Sequence, residues 1–381
     1  MKPTRAPVLI VGGGPVGLTL ALMLARRRVA SEVLDARTLE AARSDRRLLA
    51  LSHGTVQLLA PLVALPPAVC APIRTVHVSS AGEFGRVVLD ETDAGAGPLG
   101  LTIRYGDLLG PLTDACARSG HVTLRRPCRV RAIQQKAGCA VVQLDDGLHE
   151  AEIVVNAEGM AHSSAEPEQF ALLADLVVAG TAEGSAFERF TRDGPLALLP
   201  LPGTAGGGRP MGLVWCMPPA AAARREVLAD PEFREELQQA FGARDGSIVR
   251  VGPRVRVPLH QQAREVLREH RVVYLGNAAQ TLHPVAGQGL NLGVRDCATL
   301  ADLLGRAHAA GRDLESALDE YDRQRRLDRS AILALTRNAP ALFRAAAAPI
   351  AIGRSAALTA LAMFPNLRRP FARLLMFGVR S

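Results

Sequence analysis

The sequence predicts an α/β protein with a Rossmann-like dinucleotide-binding domain, interrupted by a mixed or antiparallel β-sheet domain and followed by a C-terminal helical region. Three observations predict it: a glycine-rich strand–turn–helix at the N-terminus, many short strands in the middle, and a second glycine-rich segment near residue 280. The 381 residues are enough for more than one lobe. We assign 1–70, 98–170 and 270–335 to the nucleotide-binding domain, 71–97 and 171–269 to the β-rich domain, and 336–381 to the helical tail.

The N-terminal motif is Gly12-x-Gly14-x-x-Gly17, which follows an apolar run at residues 7–11 and opens an Ala/Leu-rich segment. In such a turn the first glycine permits the bend, the second lets a pyrophosphate approach the backbone, and the third lets the helix pack on the strand. Asp35 ends the next apolar run, where a carboxylate can bind a ribose hydroxyl. The pattern therefore predicts that this end of the chain binds a dinucleotide.

The middle and the end of the chain give a coarser pattern. We expect a helix that has Asp230 as its N-cap and Pro231 in its first turn. Two helices follow near 296–308 and 314–336, and the prolines after them should break the tail. The strands that we predict for the β-rich domain are 172–178, 196–201, 212–216 and 254–257, and the prolines of the tail are Pro340, Pro349, Pro365 and Pro370.

The second glycine segment, residues 276–296, follows the predicted strand 272–275. Asn277 can hydrogen-bond a polyol, and a helix is expected to begin near Leu290 after a loop with exposed amides. Two glycine turns far apart in sequence suit a cofactor with two ends, an ADP half and a ribityl–isoalloxazine half. A helix N-terminus also suits the negative charge of a reduced flavin, so we predict FAD. The residues expected to contact its ring half are Asn277, Gly287, Gln288, Gly289, Leu290 and Asn291.

These motifs resemble those of the class A flavoprotein aromatic hydroxylases, which have the para-hydroxybenzoate hydroxylase fold. The segment at 276–296 and the stretches 186–191, 194–200 and 213–216 are most similar to the ubiquinone-biosynthesis branch, within it to enzymes that act on 2-polyprenyl-6-methoxyphenol. The resemblance covers nearly the whole chain. It implies an FAD-dependent monooxygenase that hydroxylates a prenylated phenol through a flavin C4a-hydroperoxide, with O2 and with NAD(P)H or another reductant as co-substrates.

By the same resemblance, Arg47 matches an arginine that contacts the FAD diphosphate, and Glu158-Gly159 stands where the family has Asp-Gly in contact with flavin and reductant. Asp107 stands where the family usually has Gln or Arg, and the segment 160–170 is several residues shorter than usual. Two other functions stay open. One is a sister hydroxylase that acts at another ring carbon. The other, to which these departures give weight, is a low-turnover flavin-binding subunit of the biosynthetic complex.

His283-Pro284 precedes the second glycine loop. Pro284 is expected to shape this loop against the flavin ring. His283 has two possible roles: a polar or proton contact at the flavin face, or a histidine whose hydrogen bonds are satisfied within the protein. We favour the second role, although both residues are candidates for the catalytic site.

The net charge is +8 and the calculated isoelectric point about 9.7. Basic residues are not interleaved with aromatics, so we expect no nucleic-acid partner. The tail at 350–380 combines Leu, Met and Phe with arginines, and could contact an anionic membrane, cap the core or join two copies. We expect a cytoplasmic protein with possible peripheral contact to the inner membrane, acting with other ubiquinone-biosynthesis proteins. The six scattered cysteines lack metal-ligand spacing.

Overall fold

The computed structural model describes residues 5–95, 97–159, 166–344 and 348–379. Its α-helices are α1 (Pro15–Ala25), α2 (Leu39–Arg43), α3 (His53–Leu59), α4 (Glu91–Ala94), α5 (Tyr105–Arg118), α6 (Pro219–Glu226), α7 (Asp230–Phe241), α8 (Gln288–Ala309), α9 (Ser316–Arg344), α10 (Ala348–Met363) and α11 (Pro365–Phe377).

The strands of the same residues are β1 (Arg5–Val11), β2 (Ser31–Leu34), β3 (Leu48–Ser52), β4 (Cys70–Ile73), β5 (Thr75–Ser80), β6 (Arg86–Asp90), β7 (Gly100–Arg104), β8 (Val122–Arg125), β9 (Val130–Lys136), β10 (Cys139–Leu144), β11 (Gly147–Asn156), β12 (Gln169–Ala179), β13 (Ser185–Phe190), β14 (Pro195–Pro200), β15 (Arg209–Met217), β16 (Ser247–Val251), β17 (Val255–Leu259), β18 (Gln262–Ala263), β19 (Arg268–Glu269), β20 (Val272–Tyr274) and β21 (Gln280–Thr281).

A parallel sheet carries the nucleotide-binding motifs. Its order is β19-β20-β11-β1-β2-β8, parallel from β20 to β8, and the β9–β10 hairpin extends it beside β11. Leu9, Ile10 and Val154 in its central strands are fully buried, because α1, α5 and α8 pack against this core. The carboxyl ends of β1 and β2 therefore point toward the first glycine turn, as the motif predicts.

A second sheet forms the β-rich part, in the order β16-β12-β15-β14-β13-β5-β6, with β17 also paired to β12. All its pairs are antiparallel except β13 with β5. Helix α7 covers one face of this sheet and buries Phe233, Leu237 and Phe241 near Trp215. The four strands predicted between 172 and 257 correspond to β12, β14, β15 and β17, and the predicted α/β architecture is confirmed.

Two local predictions are wrong. Asp230 is not the N-cap of α7, because Ala229 takes that position and Asp230 is the first helical residue, paired with Arg254 at 3.0 Å. The tail is also less broken than expected. Helix α9 continues past Pro340, and α11 contains Pro370 in its interior.

The C-terminal helices α10 and α11 fold back onto the protein. Helix α10 packs on β6, and α11 packs on α3 and α4. Leu358, Ala372 and Met376 join a third apolar cluster with residues of the strands. None of the described helices is by itself long and apolar enough to cross a bilayer; α10 and α11 satisfy that criterion only together, as a pair bent by 98°.

Candidate active site

The first glycine turn has the tight geometry that its motif predicts. Gly12 has φ +109°, and a Cβ there would lie 2.4 Å from the carbonyl oxygen of Ala157. A Cβ on Gly17 would lie 1.9 Å from the carbonyl oxygen of Gly12. Helix α1 starts at this turn with Gly14 as an N-cap that has no capping side chain, and no acidic residue occupies its first turn. The first amides of α1 are thus available to an anion.

Cationic and phenolic groups surround this helix start. Arg37 donates from Nη2 to the hydroxyl oxygen of Tyr105 at 3.0 Å, and the Arg47 guanidinium lies 4.9 Å from the Tyr105 ring centre. A Cβ on Gly14 would lie 3.0 Å from the same hydroxyl. Arg47 is also held by Asp45, with Nη2 to Oδ2 at 2.6 Å. Guanidinium groups beside a helix N-terminus suit a diphosphate.

Asp35, the predicted ribose ligand, is held by hydrogen bonds within the protein. It is buried at the end of β2, and its Oδ1 accepts from the Arg37 amide at 2.8 Å. Its Oδ2 accepts from Arg126 Nη2 at 3.2 Å, and Nη2 also donates to the Gly13 carbonyl at 2.6 Å. Two oxygens offer about four acceptor positions, so the carboxylate can still accept from a ribose hydroxyl.

Arg126 is a residue that sequence reasoning missed. Its side chain is only 7% exposed, and its Nε and Nη1 have no hydrogen-bond partner among the described residues. Unpaired buried donors beside a glycine turn call for an acceptor-rich group, and the ADP end of FAD is one. Tyr105 and Arg37 were missed as well. The available signal for Tyr105 was its place at the start of a helix directly after a strand.

The second glycine segment also matches a ring-binding loop. Gly287 has φ +58°, and a Cβ there would lie 3.0 Å from the Cβ of Ala50. Helix α8 begins at Gln288, two residues before the predicted start, without a capping side chain. A Cβ on Gly289 would have no heavy atom within 4 Å. Uncapped amides and open space therefore meet at the first turn of α8.

The side chains of Gln288 and Asn291 in this turn make hydrogen bonds within the protein. Asn291 donates from Nδ2 to the carbonyls of Ala50 and Gly287 at 3.0 and 2.8 Å, and accepts from the Ser52 amide at 2.9 Å. Gln288 donates from Nε2 to the Leu375 carbonyl at 3.1 Å. Asn291 thus joins β3 to α8, and Gln288 joins α8 to α11. The backbone amide of Gln288, the first residue of α8, has no acceptor within the helix and can face a ligand, while Leu290 is partly buried against the main core.

His283 is buried, with 1% of its surface exposed. Its Nδ1 accepts from the Val285 amide at 3.3 Å, so the proton of the neutral ring is on Nε2, which donates to Gln169 Oε1 at 3.0 Å. Both ring nitrogens have partners inside the protein, which favours the structural role. Pro284 precedes the short 3-10 turn Val285–Gly287 and leads the chain into α8.

An open cleft of about 750 Å³ connects two of the predicted residues. Glu158 and Asn277 both line it, Glu158 beside the first glycine turn and Asn277 on the second segment. Partial burial, and then the charge of Asp35, raise the pKa of Glu158, while Arg129 opposes the shift. Asp107 lies exposed on the first turn of α5. The shortened segment falls partly on 160–165, outside the described residues.

The chain matches the FAD binding domain family over residues 5–67 and 175–336, more than half its length. The ubiquinone hydroxylase UbiL of Rhodospirillum rubrum is 33% identical, covering 97% of this chain and 89% of that protein. The 3-demethoxyubiquinol 3-hydroxylase of Escherichia coli is 30% identical over 86% of each. This chain belongs to the ubiquinone-biosynthesis hydroxylase family.

The solved structure of PqsL, a probable FAD-dependent monooxygenase from Pseudomonas aeruginosa, has the same fold. It superposes with a TM-score of 0.74 at 21% identity, covering 93% of this chain and all of that one. The predicted family, fold and cofactor are confirmed, and the hydroxylase is an FAD-dependent aromatic-ring monooxygenase. The domain boundaries and the roles of single residues stay predictions. Among the described residues, no three His, Cys, Asp or Glu side chains are grouped to hold a metal ion.

Proposed function

We propose that this hydroxylase adds a hydroxyl group to the ring of a prenylated phenol, 2-polyprenyl-6-methoxyphenol, in ubiquinone biosynthesis. One atom of O2 goes to the ring carbon, and the other leaves as water with two electrons from NAD(P)H or another reductant. FAD, when bound, supplies the transfer of these electrons to oxygen. The tasks left to the protein are to hold the cofactor, to orient the phenol and to exclude water.

An apolar cavity beside the second glycine segment carries the proposal. Its volume is about 110 Å³, and it lies where β3, the β-rich sheet, the start of α8 and α11 meet. A cavity of roughly 150 Å³ binds benzene, so this space encloses only part of an aromatic ring, and the rest of the ring and the polyprenyl tail must extend beyond it. An apolar lining at this position keeps water away from the site of oxygen transfer. The apolar lining residues are Ala50, Leu51, Ile73, Val76, Leu89, Leu99, Ala372, Leu375 and Met376.

The cofactor-binding roles follow from the same geometry. We assign the diphosphate to the start of α1 and to Arg37 and Arg47, and the ADP ribose to Asp35 beside Arg126. The flavin ring is assigned to the amides at the first turn of α8, after the Pro284 loop, where a helix N-terminus stabilises negative charge. Asn277 and Glu158, which line the open cleft, are placed between these two ends, where the ribityl chain and a transient reductant would come. With these assignments, the part of the protein built on the parallel sheet binds FAD, and the β-rich sheet contacts the phenol.

A sister reaction at another ring carbon is the second candidate. The name of the Escherichia coli relative, a 3-demethoxyubiquinol 3-hydroxylase, favours it. A flavin-binding subunit with little turnover in a complex of ubiquinone-biosynthesis proteins is the third, and Glu158 and Asp107 favour it because they depart from the family pattern near the reductant site.

Complementation with product analysis separates these candidates. The chain is expressed in strains that each lack one ring hydroxylase of the pathway, and the quinone intermediates are identified by mass spectrometry with ring-labelled precursor. We expect rescue of the strain that accumulates 2-polyprenylphenols with a 6-methoxy group. Rescue of another strain would replace this substrate with the sister one. An FAD-loaded protein that neither rescues a strain nor oxidises NAD(P)H with any of these phenols would contradict the enzymatic proposal.

A further inference from the structure

The net positive charge of the chain is concentrated in residues 329–381. After Asp328 the sequence contains eight arginines and no acidic residue. The whole chain has 45 basic and 37 acidic residues, so residues 1–328 have 37 of each and the entire net charge of +8 lies in 329–381. A segment of this composition attracts an anionic surface.

The structure separates the arginines of α10 and α11 into two groups. Arg354 pairs with Glu83, and Arg368 donates from Nε to both carboxylate oxygens of Asp93 at 2.9 Å. These pairs fasten the two helices to the β5–β6 turn and to α4. Arg369 and Arg373 instead lie exposed on α11, and no ion pair to either occurs within the described part of the chain. Two cations therefore point outward.

Large apolar side chains are also exposed on α10 and at its bend into α11. Ile352 and Met363 on α10 are 62% and 68% exposed, and eleven residues apart they lie on one side of the helix. Phe364 and Leu367, at the bend into α11, are 54% and 53% exposed. We call Ile352, Met363, Phe364 and Leu367, together with Arg369 and Arg373, the tail face. Helices that combine exposed apolar residues with exposed arginines are typical of a membrane interface.

We propose that the tail face docks this hydroxylase on the surface of a bilayer that contains anionic lipids. A transmembrane position is inconsistent with the packing, because the opposite sides of both helices are fixed to the protein through Arg354, Arg368 and the third apolar cluster. The inference rests in part on the proposed substrate. Ala372, Leu375 and Met376 of α11 line the apolar cavity, so only the thickness of one helix, about 10 Å, separates the cavity from the proposed lipid surface. A prenyl tail dissolved in the bilayer could reach the ring site around α11.

The test is vesicle flotation of the full chain without FAD or substrate, so that its result is independent of the catalytic proposal. Vesicles of phosphatidylcholine alone are compared with vesicles that contain phosphatidylglycerol, at low and high salt. We expect binding to the anionic vesicles that weakens with salt. Arg369→Ser/Arg373→Ser should weaken it by about fivefold for each arginine, and Phe364→Ser/Leu367→Ser by about tenfold or more.

Matched controls are available on other exposed parts of the chain. Arg244→Ser/Arg250→Ser makes the same change in net charge, and Val227→Ser removes a valine that is 81% exposed. Both should bind vesicles like the wild type, and thermal melts should show that all variants are folded. Tail-face variants that bind like the wild type, or equal binding to both vesicle types at all salt concentrations, would overturn the proposal. So would sedimentation showing a dimer that Phe364→Ser/Leu367→Ser dissociates while no vesicle binds.

Discussion

Replacement of Gly289 by alanine should have opposite effects on the apoprotein and on FAD binding. The residue lies in the first turn of α8, and its added Cβ has no heavy atom within 4 Å. Alanine has a higher helix propensity than glycine, by up to about 1 kcal/mol in a helix interior and less in the first turn. The apoprotein should therefore gain roughly 0.5 kcal/mol of unfolding free energy.

The same methyl group should obstruct the flavin. If the ring lies against the first turn of α8, the methyl occupies space that the ring needs, and overpacking of this kind costs about 1–3 kcal/mol. The FAD dissociation constant should then rise by about 5- to 150-fold. Flavin fluorescence quenching on apoprotein measures this constant, and chemical denaturation of the same samples measures stability.

Gly353→Ala is the matched control, because Gly353 lies inside α10 and its added Cβ also has no heavy atom within 4 Å. It should stabilise the apoprotein by about 1 kcal/mol and leave FAD affinity unchanged. Gly289→Ala that binds FAD within about twofold of the wild type would refute the placement of the ring. A destabilised Gly289→Ala apoprotein would refute the open space at this turn.

Three further predictions concern the groups around the two glycine turns. Asn291→Ala removes three side-chain hydrogen bonds to part-buried backbone groups and should lower the unfolding free energy by about 1.5–4.5 kcal/mol, at about 0.5–1.5 kcal/mol for each bond; a loss below about 1 kcal/mol in urea denaturation would contradict its joining role. Arg126→Met leaves the buried Asp35 carboxylate with less compensation and should cost about 2–4 kcal/mol, part of which the double variant with Asp35→Asn should recover; no recovery would exclude the pair as the cause. Because the pKa of Glu158 is raised, the unfolded state loses its proton first as pH rises, and folding carries a penalty that is complete above the folded-state pKa. Glu158→Gln should therefore raise the melting temperature at pH 7 but not near pH 3, and an equal effect at both would show that its charge is not responsible.

The sequence by itself determined the fold class, the cofactor and the family. The glycine turn at 12–17 is recognisable because only glycine fits where a Cβ would meet a backbone oxygen at 1.9–2.4 Å, and such constraints are local. The strands of the β-rich sheet were found for the same reason, since apolar runs of the right length need no knowledge of their partners. The start of α8 was also predicted to within two residues from the local pattern.

Only the tertiary structure decided which side chains meet. Arg126 is 91 residues from Asp35 in sequence and Tyr105 is 68 from Arg37, so no spacing rule brings either pair together. The sequence also suggested Gln288 and Asn291 as ligand contacts, but their side chains bind α11 and β3. The continuity of α9 through Pro340 was likewise not predicted from the local sequence. Contacts across long loops are set by how whole elements pack, and this is the physical reason that the site's partners could not be predicted from sequence alone.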